Sequence, residues 1–139
     1  MAENGRSQVL RRALEACVTG DADALPELFT ADVSGWGPHM LVNSLDELKE
    51  TISSREDALS DVGIEINSLD VIGNKGFVEY RLEAVFSGPF VLDKDTVVDP
   101  TGDKILLGAA LVAEFDGDKI SAFRNYFDDA ALLEQMVAG

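Results

Sequence analysis

The stretch from Ile105 to Met136 constrains the fold more than any other part of this chain. Ile105 to Phe115 is apolar at almost every position. With its length and flanking glycines, that pattern predicts a strand buried on both faces and placed mid-sheet. Asp116-Gly117 follows, a pair that favours a tight hairpin because glycine takes positive φ without steric cost. Lys119 to Phe127 then reads as the antiparallel partner. A short helix follows, with Asp128 as its cap directly before Asp129-Ala130-Ala131. The two strands are expected to form the floor of a pocket.

The chain before this hairpin supplies the helices. Ser7 is placed to cap a helix whose apolar positions Val9, Leu10, Ala13, Leu14, Cys17 and Val18 share one face, with Gly20 as the stop. Asp21 or Asp23 opens a short second helix through Phe29, with Pro26 tolerated in its first turn. Val33 to Trp36 reads as a short strand broken by Gly35, Gly37 and Pro38, which makes this a pocket rim. Ser44 and Glu47 form a capping box for a third helix running to about Ser60. From Gly63 the period changes to two, with Ile64, Ile66, Leu69 and Val71 in one strand, a turn at Asn74-Lys75-Gly76, and a second strand from Phe77 to Ser87. In that second strand Val78, Tyr80, Leu82, Ala84 and Phe86 share one face and Glu79, Arg81 and Glu83 the other. Gly88 to Lys104 is long enough to be a lid over a cavity or an added strand at the sheet edge.

Composition narrows the partners. Eleven Lys and Arg against 26 Asp and Glu leave a formal net charge of -15, which repels nucleic-acid phosphates and anionic lipid headgroups. Neither nucleic acid nor membrane is expected as a partner. Cys17 stands alone, which fits a reducing compartment. With neither a leader-like start nor a long apolar run, the expected location is the cytoplasm. His39 is the only histidine, and no spacing of ligand residues suggests a metal.

Three helices, a run of strands and a closing helix make an α+β chain with helices on one side of an antiparallel sheet. At the last strand Phe115-Asp116-Gly117-Asp118-Lys119-Ile120, Arg124-Asn125-Tyr126-Phe127-Asp128 and Leu132-Leu133-Glu134-Gln135 resemble the closing segment of SnoaL-like polyketide cyclases, and limonene epoxide hydrolases end similarly. Both belong to the nuclear transport factor two-like superfamily. The resemblance covers nearly the whole chain and implies one domain over residues 1–139. Its sheet would be a cone-shaped, curved antiparallel one wrapped on three N-terminal helices, a cystatin-like α+β barrel. It further implies a pocket for a hydrophobic, oxygenated small molecule, no cofactor, and a homodimer packed through the outer sheet face.

The resemblance also names site residues. SnoaL-like cyclases keep a general base, an Asp, directly after the Arg of the last strand, and the position here is Asn125, an amide that cannot serve as a proton acceptor in that way. Arg81-x-Glu83 resembles the Arg-x-Asp of epoxide hydrolases, although a cross-strand ion pair on a wet or dimer-facing surface explains it equally. His39 has the pKa class for proton transfer, or is a solvated loop residue. Trp36, Met40, Phe123 and Phe127 would line the cavity or simply fill the core. Two functions follow. One is an acid-base enzyme, a cyclase, isomerase or hydrolase, using Asn125, Glu83, Arg81 and His39. The alternative is a non-catalytic binding protein for an apolar metabolite.

Overall fold

The computed structural model describes residues 2–93 and 95–137. Helix α1 (Ala2–Thr19) begins well before Ser7 and buries Leu10, Ala13, Leu14 and Ala16. It stops at Gly20, whose φ of 82° lets the Asp21 N–H donate back to the Ala16 carbonyl at 2.9 Å. A 3-10 turn (Ala22–Ala24) leads into α2 (Leu25–Leu28), with Pro26 in its first turn. The backbone is already extended at Phe29, which opens β1 (Phe29–Gly37), a longer and unbroken version of the strand expected at Val33. Strand β2 (Met40–Val42) returns beside it.

Helix α3 (Leu45–Ser53) is capped by Ser44, whose Oγ accepts from the Glu47 N–H at 3.1 Å. The Glu47 carboxylate reaches back one residue further than expected, to the Asn43 N–H at 2.7 Å. The helix ends at Ser53 rather than near Ser60, because Ser54-Arg55-Glu56-Asp57 offers nothing to extend its apolar stripe; those residues form a turn. Strand β3 (Leu59–Ile72) therefore starts earlier than the alternation at Gly63 suggested, and turns at Gly73-Asn74 into β4 (Lys75–Phe86). The long connection holds a separate hairpin, β5 (Phe90–Asp93) and β6 (Thr96–Val98), rather than an added strand of the main sheet. The Asp-Gly hairpin joins β7 (Lys104–Asp116) to β8 (Lys119–Phe127) with Gly117 at φ 63°. In α4 (Asp129–Val137) the Ala131 N–H donates to the Asp128 carboxylate at 3.1 Å, the capping role expected of Asp128.

The main sheet has the order β2-β1-β8-β7-β4-β3. It is mixed rather than wholly antiparallel, because β1 runs parallel to β8. It is also open: β2 and β3 form its two edges and do not pair with each other, so the expected barrel does not close. No helix among the described residues is long and apolar enough to cross a membrane.

One face of the sheet carries the core. Val78, Tyr80, Leu82, Ala84 and Phe86 of β4 are buried alongside Ile105, Leu107, Ala109, Leu111 and Ala113 of β7. The opposite face of β7 is apolar too, yet in the single chain it is not buried, and Leu106 is 48% exposed. Gly35 continues β1 instead of breaking it because a Cβ there would lie 2.2 Å from the Phe123 ring, so only glycine lets β1 and β8 close over that ring. Gly35→Ala is therefore expected to lower stability by about 1–3 kcal/mol through overpacking. Gly5→Ala on the exposed side of α1, with no atom within 4 Å of its added Cβ, should be neutral or stabilising; urea unfolding curves of the two variants check this.

Candidate functional site

Alternation along β8 sends Phe123, Asn125 and Phe127 to the inner face. Behind Asn125 lies a cavity of about 160 Å³. Ala13, Leu14 and Cys17 of α1 wall one side, Tyr80, Leu107 and Leu111 the sheet side, and Leu132 and Met136 of α4 another, with Met40, Arg55 and Phe90 also bordering it. No Asp, Glu or His is among the described residues that line it.

The cavity's polar contact is a hydrogen bond from the Tyr80 hydroxyl to the Asn125 Oδ1 at 3.1 Å. Tyr80 lies on β4 and Asn125 on β8, with β7 between them, so the bond crosses two strand spacings, roughly 10 Å. Ala109 stands opposite Tyr80 in the ladder, and its methyl leaves the long phenol room to reach over. Burial pushes the Tyr80 hydroxyl up to about 12, against a smaller opposing effect of its bond to Asn125. It remains a neutral donor across the physiological range. With Oδ1 taken, the Asn125 Nδ2–H groups are left as donors. Burial likewise pushes the Cys17 thiol up to about 12, which keeps it protonated and inert.

A second cluster joins the segments around Arg55. Arg55 follows α3 and donates from Nε to the Val91 carbonyl at 3.2 Å and from Nη2 to the His39 carbonyl at 2.9 Å. Its guanidinium carbon lies 4.7 Å from the Phe90 ring centre. His39 occupies the β1–β2 turn at φ 61°, a conformation disfavoured for a side chain with a Cβ. Its Nε2 lies 2.6 Å from Asp129 Oδ2 at the start of α4.

Of the residues singled out in the sequence, Asn125, Phe123, Phe127 and Met40 border the cavity. Trp36 does not: it is 43% exposed on the outer face, with its ring centre 5.1 Å from that of Tyr126. The phase of β1 explains this, since Val33 and Gly35 take the inward positions. Arg81 and Glu83 also point outward, opposite in phase to Tyr80 and Leu82. Glu83 is 2.7 Å from the Lys104 ammonium, whose hydrogen bond holds the carboxyl below the usual range. His39 is not among the lining residues but is tied to them through Arg55. Tyr80, Arg55 and Asp129 were missed. The inward phase of Tyr80 was readable, whereas nothing local marks the other two. A larger groove of about 420 Å³ beside Arg12, Glu15 and Val62 is more polar and shares no lining residue with the Asn125 cavity, so the apolar cavity is the candidate site. Among the described residues no three His, Cys, Asp or Glu side chains cluster as a metal site would.

A family model for the SnoaL-like polyketide cyclases matches residues 7–136. The chain belongs to the SnoaL-like polyketide cyclase family. Solved structures agree on the fold. A SnoaL-like protein from Jannaschia sp. CCS1 superposes with a TM-score of 0.84 at 15% identity, covering 99% of this chain and 95% of that one. TsrD from Streptomyces laurentii gives 0.81 at 15% identity over 100% and 99% of the two chains. An LEH-like epoxide hydrolase from M. tuberculosis gives 0.72 at 12% identity over 99% and 92%. No curated protein matches the sequence.

In this SnoaL-like domain the Tyr80–Asn125 bond generates two predictions. Tyr80→Phe leaves a buried amide oxygen without its donor and should cost about 1–3 kcal/mol. Adding Asn125→Leu should recover part of that loss, giving a favourable coupling in a double-mutant cycle. The raised Tyr80 value also sets a pH dependence. The folded state holds the phenolic proton more tightly than the unfolded state, so this contribution is complete below the ordinary tyrosine value of 10.0 and is lost as pH rises toward about 12. Denaturation midpoints from pH 9 to 12 should fall more steeply for the parent than for Tyr80→Phe.

Proposed function

We propose that this chain is a small-molecule pocket protein that binds a compact, apolar, oxygen-bearing ligand without acid-base turnover inside the cavity. The observation that carries the reading is the lining: mostly apolar side chains around a neutral Tyr80–Asn125 pair, with the Arg55 guanidinium bordering it and no carboxylate or imidazole among the described lining residues. A general base must stand within hydrogen-bond reach of its substrate, and the resemblance puts the family's Asp where Asn125 stands. Size points to the ligand class. An apolar cavity of about 150 Å³ accommodates a benzene-sized molecule, so a single-ring ketone or alcohol suits this volume. Its oxygen would accept from the Asn125 Nδ2–H. Calorimetric titration should show cyclohexanone binding more tightly than cyclohexane-sized hydrocarbons of equal area. Asn125→Leu combined with Tyr80→Phe, which removes both neutral donors of the pair, should erase that preference, whereas equal affinities in the parent would sink the reading.

A second reading is favoured by the 2.6 Å His39–Asp129 contact, an imidazole with an orienting carboxylate that could move a proton for a ligand reaching out of the cavity. Exchange of the α-protons of cyclohexanone in heavy water separates the two readings. Binding alone predicts a parent no faster than buffer, with exchange gained in Asn125→Asp. Acid-base chemistry predicts exchange by the parent that is lost in His39→Gln.

We further propose a homodimer through the outer sheet face. Trp36, Phe77, Leu106 and Tyr126 expose apolar surface there, more than a face meant for water requires. Sedimentation equilibrium should give a dimer, and Leu106→Arg should shift it toward monomer.

A further inference from the structure

Arg55 is the charged group among the described residues lining the cavity. It makes no ion pair with the described residues, and its neighbours are two backbone carbonyls and the Phe90 ring. Half-burying a cation without a counter-charge is unfavourable, and burial duly pulls the Arg55 pKa below its ordinary value. The carboxylate that joins this cluster, Asp129, contacts the His39 imidazole through Oδ2 rather than the guanidinium. The donors that are satisfied fix the guanidinium: Nε is held by Val91, Nη2 by His39, and one face lies against the Phe90 ring. Nη1 makes no hydrogen bond to the described residues, and the residue borders the apolar hollow. A planar guanidinium presented this way suits a carboxylate, which takes paired N–H donors and supplies the missing charge.

Resting on the reading of the cavity as a ligand site, we propose that Arg55 receives the carboxylate of a small ring-bearing acid whose apolar body occupies the cavity. The bland role for the same contacts is a staple joining the turn after α3, the β1–β2 turn and the β5–β6 hairpin. The two differ in what they predict for charge. Benzoate and benzamide have nearly the same shape and differ in charge at one end, so calorimetric titration of the intact chain with both isolates the effect of Arg55.

The expected result is benzoate bound about tenfold or more tightly than benzamide, the margin of a charge-assisted pair over a neutral one. Arg55→Gln should weaken benzoate far more than benzamide and so remove that margin, while Arg55→Lys keeps part of it. If benzamide binds as well as benzoate to the parent, the role of Arg55 is overturned while the cavity reading stands. Arg55→Gln weakening both ligands equally would leave only the staple and overturn it as well. Binding of neither ligand to the folded parent overturns both readings. The parent comparison needs no variant to fold.

Discussion

Leu111 faces Asn125, and Val112 faces Arg124, across the β7–β8 ladder. That register decides what the cavity contains. Beyond a bulge at Ser121, which lets both Ile120 and Phe123 point inward, side chains alternate to Phe127, so a slip of one residue there would bring Arg124 and Tyr126 inside and turn Asn125 out. Contacts on both faces oppose the slip. Inside, Ile120 and Phe123 are buried, and the Phe123 ring fills the space that Gly35 leaves open. Outside, Arg124 pairs with Glu114 at 2.9 Å, and Tyr126 meets Trp36 edge to face. The half-buried ion pair adds modest energy, but it would be broken by the same shift that buries a guanidinium, so both faces select one register.

The polar content of the hollow follows from the same physics. A lone amide among Leu, Phe and Ile side chains would be costly, and so would a lone phenol. The phenol satisfies the amide oxygen, at the reach that one small residue on the intervening strand allows, and leaves the Nδ2–H donors to a ligand. A carboxylate at position 125 would meet a different balance. Desolvation would raise its pKa, with the Tyr80 hydroxyl as partial compensation. Such a shift is useful to an enzyme that needs a base near neutrality. The amide gives up that chemistry and gains a neutral, directional donor whose orientation is set by the Tyr80 bond. Position 125 therefore distinguishes holding an oxygen from abstracting a proton.

What could be read in the chain beforehand follows the reach of each signal. The Asp-Gly turn, the Ser44 cap and the inward row from Val78 to Phe86 are local or periodic, and all appear where the residues place them. Trp36, expected at the cavity, lies outside because Val33 and Gly35 take the inward positions of β1 and the next residue must face away. Arg81 and Glu83 were drawn toward the cavity by likeness to epoxide hydrolases, against an alternation that already set them opposite Tyr80, and the alternation prevailed. Arg55 was assigned to an overlong helix. Its partner His39 is 16 residues away in sequence, and Asp129 lies 90 residues from His39, distances over which no pattern in one sequence carries information. The outer face of β7 is the converse case: its apolar residues were read as buried, while in the single chain Leu106 is half exposed.

The chain carries a formal charge of -15, which bears on the proposed role of Arg55 through range. Charges on a wetted surface act over roughly 8 Å at physiological ionic strength before salt screens them. They discourage a long polyanion, which meets many of them at once. A single carboxylate seated against a half-buried guanidinium is governed by a contact in a medium of much lower dielectric, where one close opposite charge outweighs several distant like ones. The acidic surface then disfavours nucleic acid without forbidding a small acid, and its repulsion bears on the rate of approach more than on the hold. The same local balance accounts for the turn at His39. Its left-handed backbone places a carbonyl against Arg55 while its imidazole engages Asp129 Oδ2, so the carboxylate of this network is paired with the imidazole and not with the cation at the cavity.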